Sequence, residues 1–272
     1  VGFGTAPDVK TDVAFSPKIA ALYEFNENFS VFGSYAHTER FPSLDELYSN
    51  DFGAGLRPNF SPQLSKEKSD NFELGFVVSG TDLITEGEQF ELKTTAFYNK
   101  IDDLIVRQRR SFPQYRNVGE AEIYGVEVEA AYDSEHYFAG LGIGLTIGDD
   151  LTSGAALTTV APPEVTLSAG YKMPDFGLTF GYQGRLVFDE TRVPLPAPGR
   201  FTNIPAEQLR REGFSTHDLY ASWRPEDDSR FGGWEGSVRV ENLCDQGYRD
   251  FLANDNGKGR TFKISLSREI GW

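Results

Sequence analysis

The side chains of this sequence that could do chemistry are few, and many of them fall between residues 41 and 68. That stretch carries the following aromatic and cationic residues: Phe41, Tyr48, Phe52, Arg57 and Phe60. Aromatic rings can stack on a flat ring system, and an arginine can pair with a carboxylate. A tyrosine oxygen can also bind ferric iron. The stretch therefore has the chemistry to hold a flat ligand that bears a carboxylate.

The usual patterns of catalytic and metal sites are missing. The sequence contains no G-x-S-x-G, no H-E-x-x-H and no phosphate-binding glycine loop. Its one cysteine, Cys244, excludes an internal disulfide and a cysteine-based zinc site. The stretch "ANDNGKG" resembles part of a calcium loop but lacks the twelve-residue spacing, and its Asn256-Gly257 pair indicates a tight turn. We expect neither an enzyme nor a required cofactor.

Composition favours a sheet protein that does not bind nucleic acid. The chain has 272 residues and a formal net charge of −15, whereas phosphate binding needs a basic surface. Abundant Gly, Tyr and Phe with a single Met favour strands over helices. No run of about 18 apolar residues could form a transmembrane helix, but a transmembrane β-barrel needs no such run.

Eleven segments alternate between apolar and polar residues, as strands do. They span about 13–25, 29–38, 69–79, 89–100, 116–132, 136–147, 164–172, 176–188, 214–224, 233–243 and 259–272. In the fifth segment Tyr124, Val128 and Tyr132 share one parity, while Glu127 and Glu129 share the other. Apolar faces bordered by aromatic residues are typical of strands that cross a bilayer. A soluble all-β protein would also alternate, but would seldom frame its apolar faces in this way.

The connections between these segments alternate in length. Those after the odd-numbered segments are mostly short, and those after the even-numbered segments are mostly longer: 39–68, 101–115, 148–163, 189–213 and 244–258. Short turns on one side and long loops on the other are the topology of outer-membrane barrels. The sequence therefore predicts an all-β fold, an antiparallel transmembrane β-barrel, located in the bacterial outer membrane.

The last segment alternates up to the final residue, Trp272, as expected of a strand that closes a barrel and leaves no free edge. Arg268 is the exception, because it lies on the apolar parity. At an interface it can snorkel, whereas at the bilayer midplane it would cost about 2–4 kcal/mol. A bulge near Gly271 would be another way to reset the parity. The first residues resemble the middle of a loop, so we expect the C-terminal part of something longer, or a processed product.

Three separated stretches resemble TonB-dependent outer-membrane receptors. Near the end, "ENLCDQGY" resembles their Asn-Leu-Phe-Asp-x-x-Tyr motif, with these matching residues: Asn242, Leu243, Asp245 and Tyr248. The stretch "YRNVGEAEIYGVEVE" is similar to their N-x-x-x-A-x-x-x-G-x-E strand, with these matching residues: Asn117, Ala121, Gly125 and Glu127. The stretches "RFPSLDELYS" and "NFSPQLSKE" resemble their F-x-x-P and N-P-x-L segments.

This resemblance implies a barrel of about 22 strands around an N-terminal plug. The roughly eleven segments of residues 1–272 would then be the C-terminal half of the barrel, the second half in chain order. We then expect the plug domain, the first half of the barrel and the TonB-contacting segment to lie outside residues 1–272. The resemblance further implies two partners, outer-membrane lipid and TonB.

Haem and haemoglobin receptors are the most similar part of the family. In them the loop between the two motifs carries a histidine that ligates haem iron, but no histidine lies between Phe41 and Lys68 here. The partial motifs together with the length and composition of the loop give these candidate ligand-binding residues: Phe41, Pro42, Tyr48, Arg57, Asn59, Pro62 and Leu64. The candidate haem-iron ligands are His37, Tyr48 and His217, since haem can be held by Tyr as well as by His. Each of the three also has a simpler reading as a rim or packing residue, and we expect His136 to be structural or solvated in a periplasmic turn.

We therefore expect import of an iron complex, with haem or haem from a haemoprotein as the transported ligand. The F-x-x-P stretch and the "FSTHDLYASW" stretch favour haem. A ferric siderophore is the alternative, which the missing loop histidine favours. A passive porin or adhesin barrel without a plug is a third possibility.

Overall fold

The computed structural model describes residues 12–48, 61, 63–82, 85–107, 115–157, 159–192, 212–251, 253 and 255–269. Nearly all regular structure in these ranges is strand. The strands are β1 (Lys18–Asn26), β2 (Phe29–Arg40), β3 (Glu67–Thr81), β4 (Gln89–Arg107), β5 (Tyr115–Asp133), β6 (Tyr137–Asp150), β7 (Ala155–Ala156), β8 (Glu164–Met173), β9 (Leu178–Val187), β10 (Phe214–Trp223), β11 (Trp234–Glu241) and β12 (Thr261–Arg268). One short helix, α1 (Leu44–Tyr48), and a 3-10 turn (Pro174–Phe176) complete them. None of the helices in these ranges is long and apolar enough to cross a membrane.

The strands form one antiparallel meander in which each long strand pairs with the next along the chain. The order is β1-β2-β3-β4-β5-β6-β8-β9-β10-β11-β12, with the short β7 paired only to β6. Each of the eleven predicted segments overlaps one long strand, which confirms the predicted all-β antiparallel fold. Strands β1 and β12 are the two edges, and within the described residues neither pairs with a further strand.

The clearest departure from the prediction is the connection over 101–115. Strand β4 continues to Arg107 and β5 begins at Tyr115, so most of this connection belongs to a longer hairpin. The extension is held by an apolar cluster of Ile101, Val118 and Ala121 with Leu157, which folds in from the link after β7. Burial of this cluster explains why β4 and β5 continue beyond the part of the sequence in which apolar and polar residues alternate. At the other end, β1 begins at Lys18 rather than at residue 13.

Cross-strand register places aromatic residues of neighbouring strands in one row. Tyr35 lies opposite Phe72, Phe72 opposite Tyr98, and Tyr98 opposite Tyr124. On β5 the same face continues to Tyr132, eight residues further on, which is roughly 27 Å along a strand. A strand tilt of about 40° reduces this to roughly 20 Å, close to the height of an outer-membrane apolar band. The row therefore marks one border of the lipid-facing surface.

The opposite face of the sheet is polar, as predicted. Lys93 on β4 lies opposite Glu129 on β5, and the next pair on this face is Thr95 with Glu127. On β6 this face carries glycines at 140, 142 and 144, so β6 itself contributes no side chains there. The sheet thus has one apolar face for lipid and one polar face for the lumen.

Arg268 lies at the end of β12, next to the short-turn side of the sheet. It pairs with Trp234, and its guanidinium carbon lies 5.4 Å from the centre of the Trp234 indole. Tryptophan is enriched where strands meet the membrane interface, and a cation over its ring is attracted to it. The lipid-facing parity of Arg268 therefore needs no bulge within the described residues, and Gly271 lies outside them.

Candidate functional site

Arg40 anchors the first end of the connection between β2 and β3. Its guanidinium donates to both carboxylate oxygens of Glu46, at 2.9 and 3.1 Å, and to Glu67 at the start of β3. Glu46 also accepts the N–H of Ser43 at 2.7 Å, while the Ser43 hydroxyl accepts the N–H of Glu46 at 3.2 Å. This reciprocal cap starts α1. One arginine therefore ties together β2, α1 and β3.

Asn117 on β5 anchors the second end. Its Oδ1 accepts the N–H of Ser65 at 2.9 Å, and its Nδ2 donates to the Ser65 carbonyl at 3.1 Å. The same Nδ2 donates to the carbonyl of Asp103, a residue with φ of 58° on β4. Close by, Glu67 accepts the N–H of Ile105 at 2.6 Å. The residues that enter β3 are thus held by hydrogen bonds to the extended β4–β5 hairpin, from the Asn117 side chain and from the Ile105 backbone.

Ser61 joins the two ends. It is fully buried, its N–H donates to the Leu47 carbonyl at 2.9 Å, and its hydroxyl accepts the N–H of Tyr115 at 3.3 Å. The chain therefore leaves β2 and comes back to within one hydrogen bond of its departure point. We call the following set the loop root: Arg40, Ser43, Glu46, Ser61, Glu67 and Asn117.

The pKa of Glu46 reflects its place in the loop root. Burial raises the pKa of this carboxyl group, but the hydrogen bonds from Arg40 and from the Ser43 backbone favour the charged form more strongly. The pKa therefore lies below its ordinary value. Glu46 is ionised at neutral pH, which the charge-assisted contact with Arg40 requires.

Four of the seven predicted ligand-binding residues are described, and all four lie in this connection. Phe41 is 44% exposed and has the ammonium of Lys66 5.9 Å from its ring centre. Pro42 and Tyr48 are half-buried, and Tyr48 is the last residue of α1. Leu64 is buried. The other three, Arg57, Asn59 and Pro62, lie outside the described residues.

The two rim histidines are far from each other. His37 Nδ1 is 2.9 Å from an Asp70 oxygen that also accepts the Tyr35 hydroxyl at 2.7 Å. His217 Nδ1 is 2.8 Å from the Tyr182 hydroxyl. Six strands separate β2 from β10 in the sheet order, so these histidines lie seven strand spacings apart, roughly 34 Å along the sheet. Both are on the lipid-facing side, and a single iron atom cannot take both as ligands.

His136 lies in the short turn between β5 and β6, where the sequence predicted it. Its ring centre is 6.2 Å from that of Tyr171. Among the residues that the structure describes, no group of three His, Cys, Asp or Glu side chains is arranged to hold a metal ion.

The Asn-Leu-Cys-Asp-x-x-Tyr stretch folds its own loop. Asn242 is 3% exposed, with φ of 50°, and its amide bonds the backbone of Gln246 at both N–H and carbonyl and the carbonyl of Lys258. The Asp245 carboxylate accepts the N–H of Arg260 at 2.8 Å. These motif residues therefore shape the last connection rather than present side chains to a ligand.

Arg185 ties that last connection to the lumen wall. It donates two hydrogen bonds to Glu164 on β8, at 2.7 and 2.9 Å, and one to Asp250 at 2.5 Å. Its guanidinium lies 5.2 Å from the ring centre of Phe214, which stacks on Tyr248. Below it, an open groove of about 610 Å³ follows the lumen face, lined by residues that include Glu129, Gly140, Gly142, Thr166 and Gln183.

Reasoning from the sequence missed most of the loop root. The S-x-x-E pattern from Ser43 to Glu46 is a capping-box signature and could have been found. The contacts of Arg40 with Glu67 and of Asn117 with Ser65 span 27 and 52 residues along the chain. No local pattern reveals pairs at such separations.

Comparison with known proteins decides the family. Residues 2–243 match the family model described as TonB dependent receptor-like, beta-barrel. The chain belongs to this family. It is part of a bacterial outer-membrane β-barrel, which confirms the predicted resemblance and location, and the family consists of receptors and transporters.

A relative and two solved structures show how far the likeness extends. The TonB-dependent heme receptor A of Haemophilus influenzae is 28% identical over 91% of this chain and 36% of its own length. The copper transporter OprC superposes with a TM-score of 0.76 at 22% identity, covering 96% of this chain and 40% of its own. A Serratia marcescens hemophore receptor HasR, solved with its hemophore HasA and heme, gives 0.69 at 22%, covering 92% and 39%. The chain thus spans about a third of the length of the curated relatives it matches.

Proposed function

We propose that this chain is the C-terminal half of the barrel of a TonB-dependent receptor that imports haem, taken up free or from a haemoprotein. The observation that carries the proposal is the likeness over 91% of the chain to a receptor named for heme. The eleven-strand path with two open edges supports the half-barrel part, because barrels of this kind have about 22 strands. The remaining strands would pair with β1 and β12, since lipid does not tolerate free strand edges.

The proposed partners follow from the same reading. The apolar face of the sheet meets outer-membrane lipid, and the polar face encloses a plug. TonB would contact the N-terminal part of the receptor and supply the energy for transport.

The connection after β2 is the proposed capture site. Its aromatic residues would stack on the macrocycle, and Arg57 would pair with a propionate. We propose Tyr48 as the iron ligand that this connection supplies, because phenolate oxygen binds ferric haem. His37 and His217 stay in the test as alternatives, although both lie on the lipid-facing side of the sheet.

A ferric siderophore is the second candidate cargo. The observation that favours it is the absence of histidine between Pro42 and Leu64. A copper transporter shares the fold, so the barrel by itself does not specify the cargo. A passive porin would lack the plug, and sequence upstream of Val1 separates that class from a transporter.

Hemin titration of the intact receptor, followed by its absorbance band, tests the proposal. We expect saturable binding, with a shifted band in Tyr48→Phe and an unchanged band in His37→Ala and His217→Ala. An unchanged spectrum when Tyr48→Phe, His37→Ala and His217→Ala are combined in one variant would place the iron ligand elsewhere in the receptor. If hemin does not bind and a ferric siderophore does, the second candidate replaces the first.

A further inference from the structure

The connection after β2 begins and ends at neighbouring points. Ser61 donates its N–H to the carbonyl of Leu47, so these two positions lie within one hydrogen bond of each other. The entropy of bringing the ends together is then lost on folding rather than on ligand binding. A loop whose ends were free would lose that entropy each time a ligand ordered it.

The carboxylates that hold the first end are shielded from solvent, while their common partner is more open. The Glu46 and Glu67 side chains are 16% and 13% exposed and that of Arg40 is 45% exposed, so solvent screens these contacts in part and their strength comes from the paired, charge-assisted hydrogen bonds. The Asn117 amide hydrogen-bonds both the N–H and the carbonyl of Ser65, and this pair of bonds fixes the position of Ser65 relative to β5. Strand pairing stops at Arg40 opposite Glu67, so it does not hold α1 or Ser61, which lie beyond the ladder.

The same contacts reach the next connection along the chain. Asn117 lies on β5 and also bonds Asp103 on β4, while Glu67 bonds the N–H of Ile105 on β4. These strands form the extended hairpin that carries the link after residue 107. The loop root therefore ties one extracellular loop to its neighbour.

We propose that Arg40 and Asn117 are positioning residues for ligand capture. They hold the ends of the loop against β3, β4 and β5, so that Tyr48 and the residues after it meet the ligand from a preformed frame. Neither residue touches the ligand; each acts through the loop root. This inference rests on the proposed function for the ligand, but the frame itself is testable without one.

The first measurement is hydrogen exchange in the intact receptor without ligand. In Arg40→Ala we expect the N–H groups of Leu47 and Ser61 to exchange about tenfold faster or more, because the cap that starts α1 loses its charged partner. Unchanged exchange at both groups would overturn the proposal. Heat-modifiable migration of the barrel shows that the variant is folded, and Glu46→Gln replaces Arg40→Ala where that variant is not.

Arg185→Ala is the matched control. It removes an arginine that bonds two carboxylates in the same manner, but in the last connection rather than in this one. We expect exchange at Leu47 and Ser61 to stay as in the wild type. Faster exchange at Leu47 and Ser61 in Arg185→Ala would mean that the barrel loosens as a whole. It would overturn the proposal that Arg40 acts locally on the loop after β2.

The second measurement is hemin titration of the same variants. We expect Arg40→Ala and Asn117→Ala each to weaken hemin binding about tenfold, and the double variant Arg40→Ala/Glu46→Ala to lose no more than Arg40→Ala alone. A double variant that loses the sum of the separate Arg40→Ala and Glu46→Ala losses would show that Arg40 affects hemin binding independently of Glu46, against the proposal. A wild-type receptor that binds no hemin would refute the haem proposal instead. The titration would then be run with a ferric siderophore. The hydrogen-exchange result would still test whether Arg40 holds the ends of the loop.

Discussion

Arginine introduced at Val128 should destabilise the barrel strongly, while the same substitution one residue earlier should not. Val128 lies on the lipid face of β5, four residues from Tyr124 and four from Tyr132. Each aromatic is roughly 13 Å away along the strand, so Val128 sits near the middle of the apolar band. An arginine at that depth costs about 2–4 kcal/mol.

Glu127→Arg is the internal control, because it puts the same side chain on the lumen face of the same strand. Glu127 lies opposite Thr95 on β4 and opposite Gly144 on β6. The space beside Gly144 is open, because a Cβ built on that glycine would have no atom within 4 Å. The new arginine therefore has room, water and no cation directly across from it. We expect a change within about 0.5 kcal/mol.

The assay is a urea titration of the intact receptor refolded into lipid vesicles, followed by tryptophan fluorescence. A cost of about 2–4 kcal/mol lowers the ratio of folded to unfolded protein roughly 30- to 700-fold. Ile143→Arg should cost as much as Val128→Arg, because Ile143 lies directly opposite on β6. Equal losses for Val128→Arg and Glu127→Arg would refute the assignment of the two faces.

Three further outcomes follow from named contacts. Asn242→Ala should lose about 1–3 kcal/mol and speed proteolysis of the last connection, because its buried amide bonds three backbone groups there. Arg268→Ala should change stability in vesicles by less than about 1 kcal/mol, since the guanidinium over Trp234 lies at an interface; a gain of about 2 kcal/mol or more would place Arg268 at the midplane instead. Arg185→Ala should free Asp250 and raise hydrogen exchange in residues 248–251 while heat-modifiable migration stays unchanged; unaltered exchange would mean that other contacts hold the loop.

The strands and their faces could be predicted from the sequence, because both depend on a local period of two. Tyr124, Val128 and Tyr132 show their common face in the order of residues alone, and the register across β4 and β6 confirms it. The loop-side ends of β4 and β5 could not be predicted in the same way. Their extension depends on Ile101 packing against Leu157, a contact between residues 56 positions apart.

The candidate site shows the same division. Residue types and family-like motifs led us to predict ligand-binding residues in the connection after β2, but they did not show what holds that connection in place. Asn117 and Asn242 could be recognised in the sequence because they match family motifs. Only the fold showed that their side-chain amides hydrogen-bond backbone groups of a loop.

The histidines mark the limit of reading from sequence. Their parity showed that His37 and His217 share the lipid-facing side, since parity is a local property. The order of strands in the sheet places the two histidines seven strand spacings apart. No local sequence pattern contains that distance. Sequence determined the class of fold and the faces of its strands, because neighbours along the chain set alternation. Tertiary structure decided which side chains meet, because that depends on pairing between residues far apart in the chain.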